Sequence, residues 1–279
     1  MDVMTCWVLD AAPEVHRAGL SIQDMTWGVG ATNKTIIVTS ALDDWEASST
    51  PPDFFGGYHR MFDLRTQQMI MQLSNRETGE CAAIDPRGNT LALAVAPATH
   101  VTRLKNIPDP QTRRLVEVEV YSWTWKFALE LYDVRAHRTR PAQRTLMPAP
   151  DEAASTVVKP SISSVAWSPD GIYVAASRTD NCTQVFDVRM LARGALYEFW
   201  HGSPMEGSKS DEMFGVCRAE WVQDARCGLG LVTGGADGCV RLWDVHRSRG
   251  ESTVLAQSTH YSSWFCMGDT SKGEHAVVL

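Results

Sequence analysis

The chain has 279 residues, 44% of them apolar and 21% charged, with a formal net charge of −7. This is ample material for a packed core, and the acidic balance argues against general attraction to nucleic acid or an anionic membrane surface. No apolar run reaches membrane-spanning length, the start carries Asp2, Asp10 and Glu14 rather than a basic region, and the seven cysteines form no CxxC pair or zinc-spaced cluster, which predicts an intracellular globular chain with reduced thiols and no cofactor.

Strand signals dominate in chain order. Thr5 to Asp10 is predicted as a strand ending Val8-Leu9-Asp10. A β-like run ends at Trp27, and residues 43–57 interrupt the pattern before Met61-Phe62-Asp63. Ile84 ends the next run, just before the corner Asp85-Pro86-Arg87-Gly88. A long insert spans about 97–126. Within it "LVEVEVYSWTWKFALELYDV" alternates and predicts an extended hairpin rising past the sheet, with Glu117 and Glu119 on one face. This stretch runs through Leu131-Tyr132-Asp133 into a basic cluster of Arg135, His137, Arg138, Arg140 and Arg144.

Polar residues 149–160 read as a loop. "SISSVAWSPDGIYVAAS" then alternates around Ser168-Pro169-Asp170-Gly171, which suits a type I turn. A second corner at Arg178 to Asn181 leads into "TQVFDVR", so three strands form an antiparallel meander. Residues 201–212 read as another loop. The next unit has Trp221 and ends "GGADGCVRLWDV", containing Trp243-Asp244. Trp264 and His275 to Leu279 begin one more.

The form "apolar, large apolar, Asp" therefore recurs at Asp10, Asp63, Asp133, Asp187 and Asp244. A strand-ending marker recurs at Trp27, Ile84, Trp167, Trp221 and Trp264. On these residues the chain resembles the WD-repeat family, whose blades are four-stranded antiparallel sheets arranged around a channel. The resemblance implies an all-β propeller of about five blades' worth of sequence over residues 1–279. From marker to closing Asp the last two complete units span 20 and 23 residues, whereas the first two span 36 and 49. The extra residues are placed between third and fourth strands, and longer spacings later in the chain predict inter-blade loops near 136–160 and 190–214. The last unit lacks a closing strand and Thr5 to Asp10 lacks earlier strands. Pairing them would close a five-bladed ring and remove both sheet edges; a fragment of a larger propeller accounts for the same ends.

The resemblance implies structural roles for most marked residues. Asp63, Asp133, Asp187 and Asp244 hold turns through side-chain-to-backbone bonds, and Asp43, Asp180 and Asp237 hold the corners before the closing strands. Gly238 and Asn181 suit a positive φ there. Trp27, Trp167, Trp221, Trp264 and Trp243 read as packing. The family's Gly-His dipeptide is not recognisable in its expected places, so its Asp-centred side-chain network is expected to be incomplete.

Three features point to partners. Asp63-Leu64-Arg65, Asp133-Val134-Arg135 and Asp187-Val188-Arg189 share Asp-x-Arg, while the fourth copy ends in His246. WD-repeat substrate receptors of cullin-type ubiquitin ligases carry a Trp-Asp-x-Arg box at this place, whose Arg contacts an adaptor protein. Here Phe62, Tyr132 and Phe186 stand for the Trp. An Arg just past a rigid strand is a pre-positioned fork for a carboxylate or carbonyls; the alternative is an ion pair with a neighbouring acid. Trp45, Phe54 and Phe55 in the first insert are candidate interface anchors, or cover a blade edge. Arg135, Arg138 and Arg140 with their basic neighbours read as a solvated loop, or as a site for phosphate or acidic peptide.

No P-loop, dinucleotide fingerprint, HExxH or GxSxG is present. The sequence therefore predicts a non-enzymatic scaffold that binds other proteins, with a ubiquitin ligase adaptor as candidate partner, no membrane contact and no general nucleic-acid affinity. A propeller hydrolase or lyase, and a chromatin-associated reader, remain the alternatives.

Overall fold

The computed structural model describes residues 20–42, 57–74, 77–96, 98–108, 115–125, 127–147, 161–202, 215–224, 228–245, 252–258, 265–267 and 276–278. The first sheet holds β1 (Leu20–Trp27), β2 (Thr35–Leu42), β3 (Arg60–Asp63) and β4 (Met69–Gln72), hydrogen-bonded in that order. Next come β5 (Thr78–Ile84), β6 (Thr90–Ala96), β7 (Ala98–Pro108), β8 (Leu115–Trp125), β9 (Phe127–Asp133) and β10 (Gln143–Met147). These form a sheet of order β10-β9-β6-β5 and a separate β7-β8 ribbon. The third sheet is β11 (Ile162–Trp167), β12 (Tyr173–Arg178), β13 (Cys182–Asp187) and β14 (Tyr197–Trp200). The fourth is β15 (Val216–Asp224), β16 (Gly228–Gly235), β17 (Cys239–Asp244) and β18 (Ser252–Gln257). A final pair joins β19 (Phe265–Met267) to β20 (Ala276–Val278). The four four-stranded antiparallel sheets are the expected blades.

The inserts expected between third and fourth strands lie one connection earlier. The strand that ends in Asp is the third of its blade, not the last. A short outer strand follows it each time, so the inserts and the corners at Asp180 and Asp237 lie between second and third strands. Two of these outer strands, β10 and β14, fall inside stretches expected to be inter-blade loops. They are hard to read because they are short and half solvated: "QRTLM" and "YEFW" alternate over too few residues to show a period. The expected strand Thr5 to Asp10, and with it the closure of the ring, lies outside the described residues.

The core sits in the seams between successive blades. Met61, Met71, Ile84, Leu91 and Tyr132 fill the first seam, Phe127, Leu129, Ile162 and Phe186 the second, and Phe199, Trp221, Leu231 and Trp243 the third. Phe265 of β19 packs on Val222, Val232 and Val240 beyond the fourth blade. Two expected inter-blade tryptophans behave as such. The Trp167 indole donates to the Ala83 carbonyl and the Trp221 indole to the Ala166 carbonyl, each at 3.0 Å. Trp27 does not: it is 63% exposed, on a face of β1 that also shows Ile22 and Met25. No neighbouring blade covers that face among the described residues. Trp264 lies outside them.

The corners follow their residues. Gly171 N–H donates to Ser168 O at 2.9 Å and Gly88 N–H to Asp85 O at 2.8 Å, closing the two turns. The positive φ expected at Asn181 and Gly238 is found, at 70° and 72°. The second insert is the predicted hairpin, paired from Ala98↔Trp125 to Pro108↔Leu115. Eleven residues per strand reach roughly 35 Å when extended. The blade continues undisturbed around it, from Thr90↔Asp133 to Val95↔Ala128.

His59 is a buried base in the first seam, and Gly79 leaves room for its ring: a Cβ there would come within 2.4 Å of Cε1. Its Nε2–H donates to the Glu77 carbonyl at 3.0 Å, while Nδ1 has no partner among the described residues. Burial lowers its pKa to about 4, against smaller opposing effects of the Glu77 carbonyl and carboxylate. An unfolded histidine titrates near 6.5. Between these values the unfolded chain binds the extra proton, so stability must fall as pH drops through that window. We expect His59→Phe to flatten this part of the melting-temperature profile; identical slopes in both proteins would refute the assignment.

Candidate functional site

Antiparallel pairing sorts the connections onto two rims. Those between second and third strands leave one rim, and those joining first to second and third to fourth leave the other. The two long inserts, 43–59 and β7-β8, therefore spring from the same rim, in adjacent blades. The first insert is clamped at its base. Ser40 Oγ donates to the Tyr58 carbonyl at 2.7 Å and accepts from its N–H at 2.9 Å. Asp43, Trp45, Phe54 and Phe55 lie outside the described residues.

This rim also carries the corners at Asp180 and Asp237, which are held differently. Asp180 takes the guanidinium of Arg178, through Nε at 2.9 Å and through Nη2, rather than corner backbone. Arg178 is 2% exposed, so the ion pair replaces the expected turn bond because a buried cation requires a counter-charge. Asp237 accepts the Cys239 N–H at 3.0 Å and the Gly202 N–H at 3.1 Å. It also takes Arg241 Nη2 at 2.9 Å and His201 Nδ1 at 2.9 Å.

The Asp-centred network expected to be incomplete is present in the fourth blade. The Trp243 indole donates to Thr233 Oγ1 at 2.7 Å, and Thr233 Oγ1 lies 2.6 Å from His201 Nε2. With the Thr233 hydroxyl donating to Nε2 and Nδ1–H to Asp237, every group is satisfied. His201 was missed because it stands in His-Gly order, 36 residues before its aspartate. In the third blade the places of Thr233 and Trp243 are taken by Ala176 and Phe186, and both join the apolar seam instead.

The opposite rim carries the Asp-x-Arg turns. Asp63 Oδ1 accepts the N–H groups of Arg65 and Thr66 at 2.9 and 2.7 Å, Asp133 Oδ1 that of Ala136 at 3.0 Å, and Asp187 Oδ1 that of Arg189 at 2.9 Å. Those aspartates hold turns as expected; Asp244, at the end of β17, is half-buried. The three arginines are not equivalent. The Arg189 guanidinium closes back on its own aspartate, Nε to Oδ1 at 2.9 Å and Nη2 to Oδ2 at 2.6 Å. This ordering holds the Asp187 carboxyl below its usual range. Arg65 and Arg135 are exposed, and their side chains have no hydrogen bond or ion pair among the described residues.

The basic cluster is also divided. Arg135, Arg138 and Arg140 are exposed. Arg144 instead donates to Glu130 Oε1 at 2.7 Å and to both oxygens of Glu77 at 3.0 Å, and the Tyr132 hydroxyl donates to Glu130 Oε2 at 2.5 Å.

Among the described residues no group of three His, Cys, Asp or Glu side chains could hold a metal ion, and no helix is long and apolar enough to cross a membrane. Residues 156–187 and 206–244 match the family described as "WD domain, G-beta repeat". Among solved structures, "Structure of Dos1 propeller" superposes with a TM-score of 0.63 at 17% identity, covering 94% of this chain and 54% of that one. The chain thus spans about half the length of that structure. No curated protein matches the chain.

Proposed function

We propose that this chain, a WD-repeat β-propeller, is a two-rimmed interaction scaffold that serves as a substrate-recognition subunit of a cullin-type ubiquitin ligase. WD-repeat propellers generally bind other proteins. The observation that carries the finer reading is the pair of exposed arginines, Arg65 and Arg135, on the rim opposite the inserts, whose guanidinium groups make no hydrogen bond or ion pair among the described residues. In this reading they dock the ligase adaptor. In the same reading the first insert, with Trp45, Phe54 and Phe55, and the β7-β8 ribbon take a second protein. Separate rims let both bind at once, which a recognition subunit requires.

The arginines are ranked by their partners. Arg189 must release Asp187 before its fork can meet an adaptor, whereas Arg65 and Arg135 have no hydrogen-bonded carboxylate to release among the described residues. Arg65→Ala/Arg135→Ala is therefore expected to abolish adaptor capture in a pull-down at unchanged melting temperature, and Arg189→Ala to weaken it less. Lysine at 65 and 135 should not restore capture, because it lacks the planar two-bond fork. Full capture by the double alanine variant would eliminate the receptor reading.

A further inference from the structure

The rim that carries the Asp-x-Arg turns is electrostatically unlike the chain as a whole. In blades one and two it is built from four turns tied together by backbone bonds. Leu64 N–H donates to Lys34 O at 2.7 Å, Ala31 N–H to Arg87 O at 3.2 Å, and Val134 N–H to Asn89 O at 3.0 Å. Two glycines let these turns interlock. A Cβ on Gly88 would lie 1.8 Å from Val29 O, and one on Gly30 would lie 2.5 Å from Arg87 O. Both have positive φ, 72° and 52°, so the surface is compact and fixed rather than a set of independent loops.

Lys34, Arg65, Arg87, Arg135 and Arg138 project from these turns. All five are exposed, and none has a side-chain hydrogen bond or ion pair among the described residues. The acids of the same turns are engaged by the backbone of those turns. Asp85 is buried, with Oδ1 on the N–H groups of Asn89 and Thr90 at 2.6 and 2.7 Å. Asp63 and Asp133 are half-buried and hold their own turns. Five exposed cations thus stand against three turn-bound acids, a local positive excess on a chain of net charge −7. In the third blade the character changes: Asp170 is exposed and Arg189 is neutralised by Asp187.

We propose that these interlocked turns form a preorganised basic platform that binds an acidic segment of a partner protein. Four of the five groups are arginines, suited to paired hydrogen bonds with carboxylates. A short acidic segment covers only this platform, whereas a long nucleic-acid strand would extend over the acidic remainder of the chain and be repelled there. The proposal shares this rim with the adaptor reading but rests mainly on Lys34, Arg87 and Arg138, which lie outside the Asp-x-Arg positions.

The test is fluorescence anisotropy of the full chain with a labelled poly-glutamate peptide, and with a labelled DNA duplex of equal charge. Peptide binding is expected at low salt and should fade as salt rises. Lys34→Glu/Arg87→Glu/Arg138→Glu should weaken it at least about tenfold while leaving the melting temperature unchanged. Absence of peptide binding, or equal binding by the triple variant, would overturn the proposal. Tighter binding to the duplex, lost in the triple variant, would also overturn it and give the platform to nucleic acid. Retained peptide binding without adaptor capture would support the platform and sink the adaptor reading alone.

Discussion

Asp237→Ala is expected to destabilise the protein by about 3–5 kcal/mol, the range for breaking a buried charge pair. One carboxylate here receives a histidine, an arginine and two backbone N–H groups. Its removal strands His201, which is fully buried at its side chain, and frees Arg241 from its counter-charge. Asp170→Ala at the exposed turn should cost about 1 kcal/mol, since only a hydroxyl and one N–H are lost. Chemical denaturation of both variants checks the ranking; equal losses would show that the fourth-blade network is not the stronger.

The same carboxylate has a pH signature. Burial alone would raise its pKa, but the bonds from His201, Cys239 and Arg241 outweigh that and hold it well below the ordinary carboxylate range. Its stabilisation is therefore complete above the unfolded value of about 4 and disappears as pH falls toward the folded one. Asp237→Ala should lack this acid loss. The window lies below that of His59, so the two are separable in one set of melting curves.

Arg144→Ala is the second large effect, at about 3 kcal/mol. Glu130 is 1% exposed and would lose the Arg144 guanidinium while remaining desolvated. Arg144 itself is 37% exposed, so water entering its place keeps the loss at the low end of the range. Arg138→Ala and Arg140→Ala, on the same stretch of chain, should stay within about 0.5 kcal/mol. Adding Glu130→Gln to Arg144→Ala should recover much of the loss, because a neutral amide needs no counter-charge. If Arg144→Ala costs no more than Arg138→Ala, Glu130 is not held as described.

Local features were legible in the sequence because their causes are local. The β11 to β13 meander follows from alternation plus two turns whose residues specify their own geometry. The positive φ at Asn181 and Gly238 and the β7-β8 hairpin were readable for the same reason. The repeated closing aspartates marked the blades, though they misled by one strand: the short outer strands lean on their neighbours for order and carry little period of their own.

What only the tertiary structure decided is which groups meet across the seams. His201 and Asp237 are brought together by the packing of the third blade's end against the fourth, which no dipeptide pattern encodes. Arg65, Arg135 and Arg189 share one motif, yet only Arg189 closes on its aspartate among the described residues; Arg144 sits beside three other arginines in sequence and serves a different end. The sequence alone determined the blades and the chemical character of each turn. Burial and pairing in the folded chain decided which charges are structural and which stay exposed without a hydrogen bond or ion pair among the described residues.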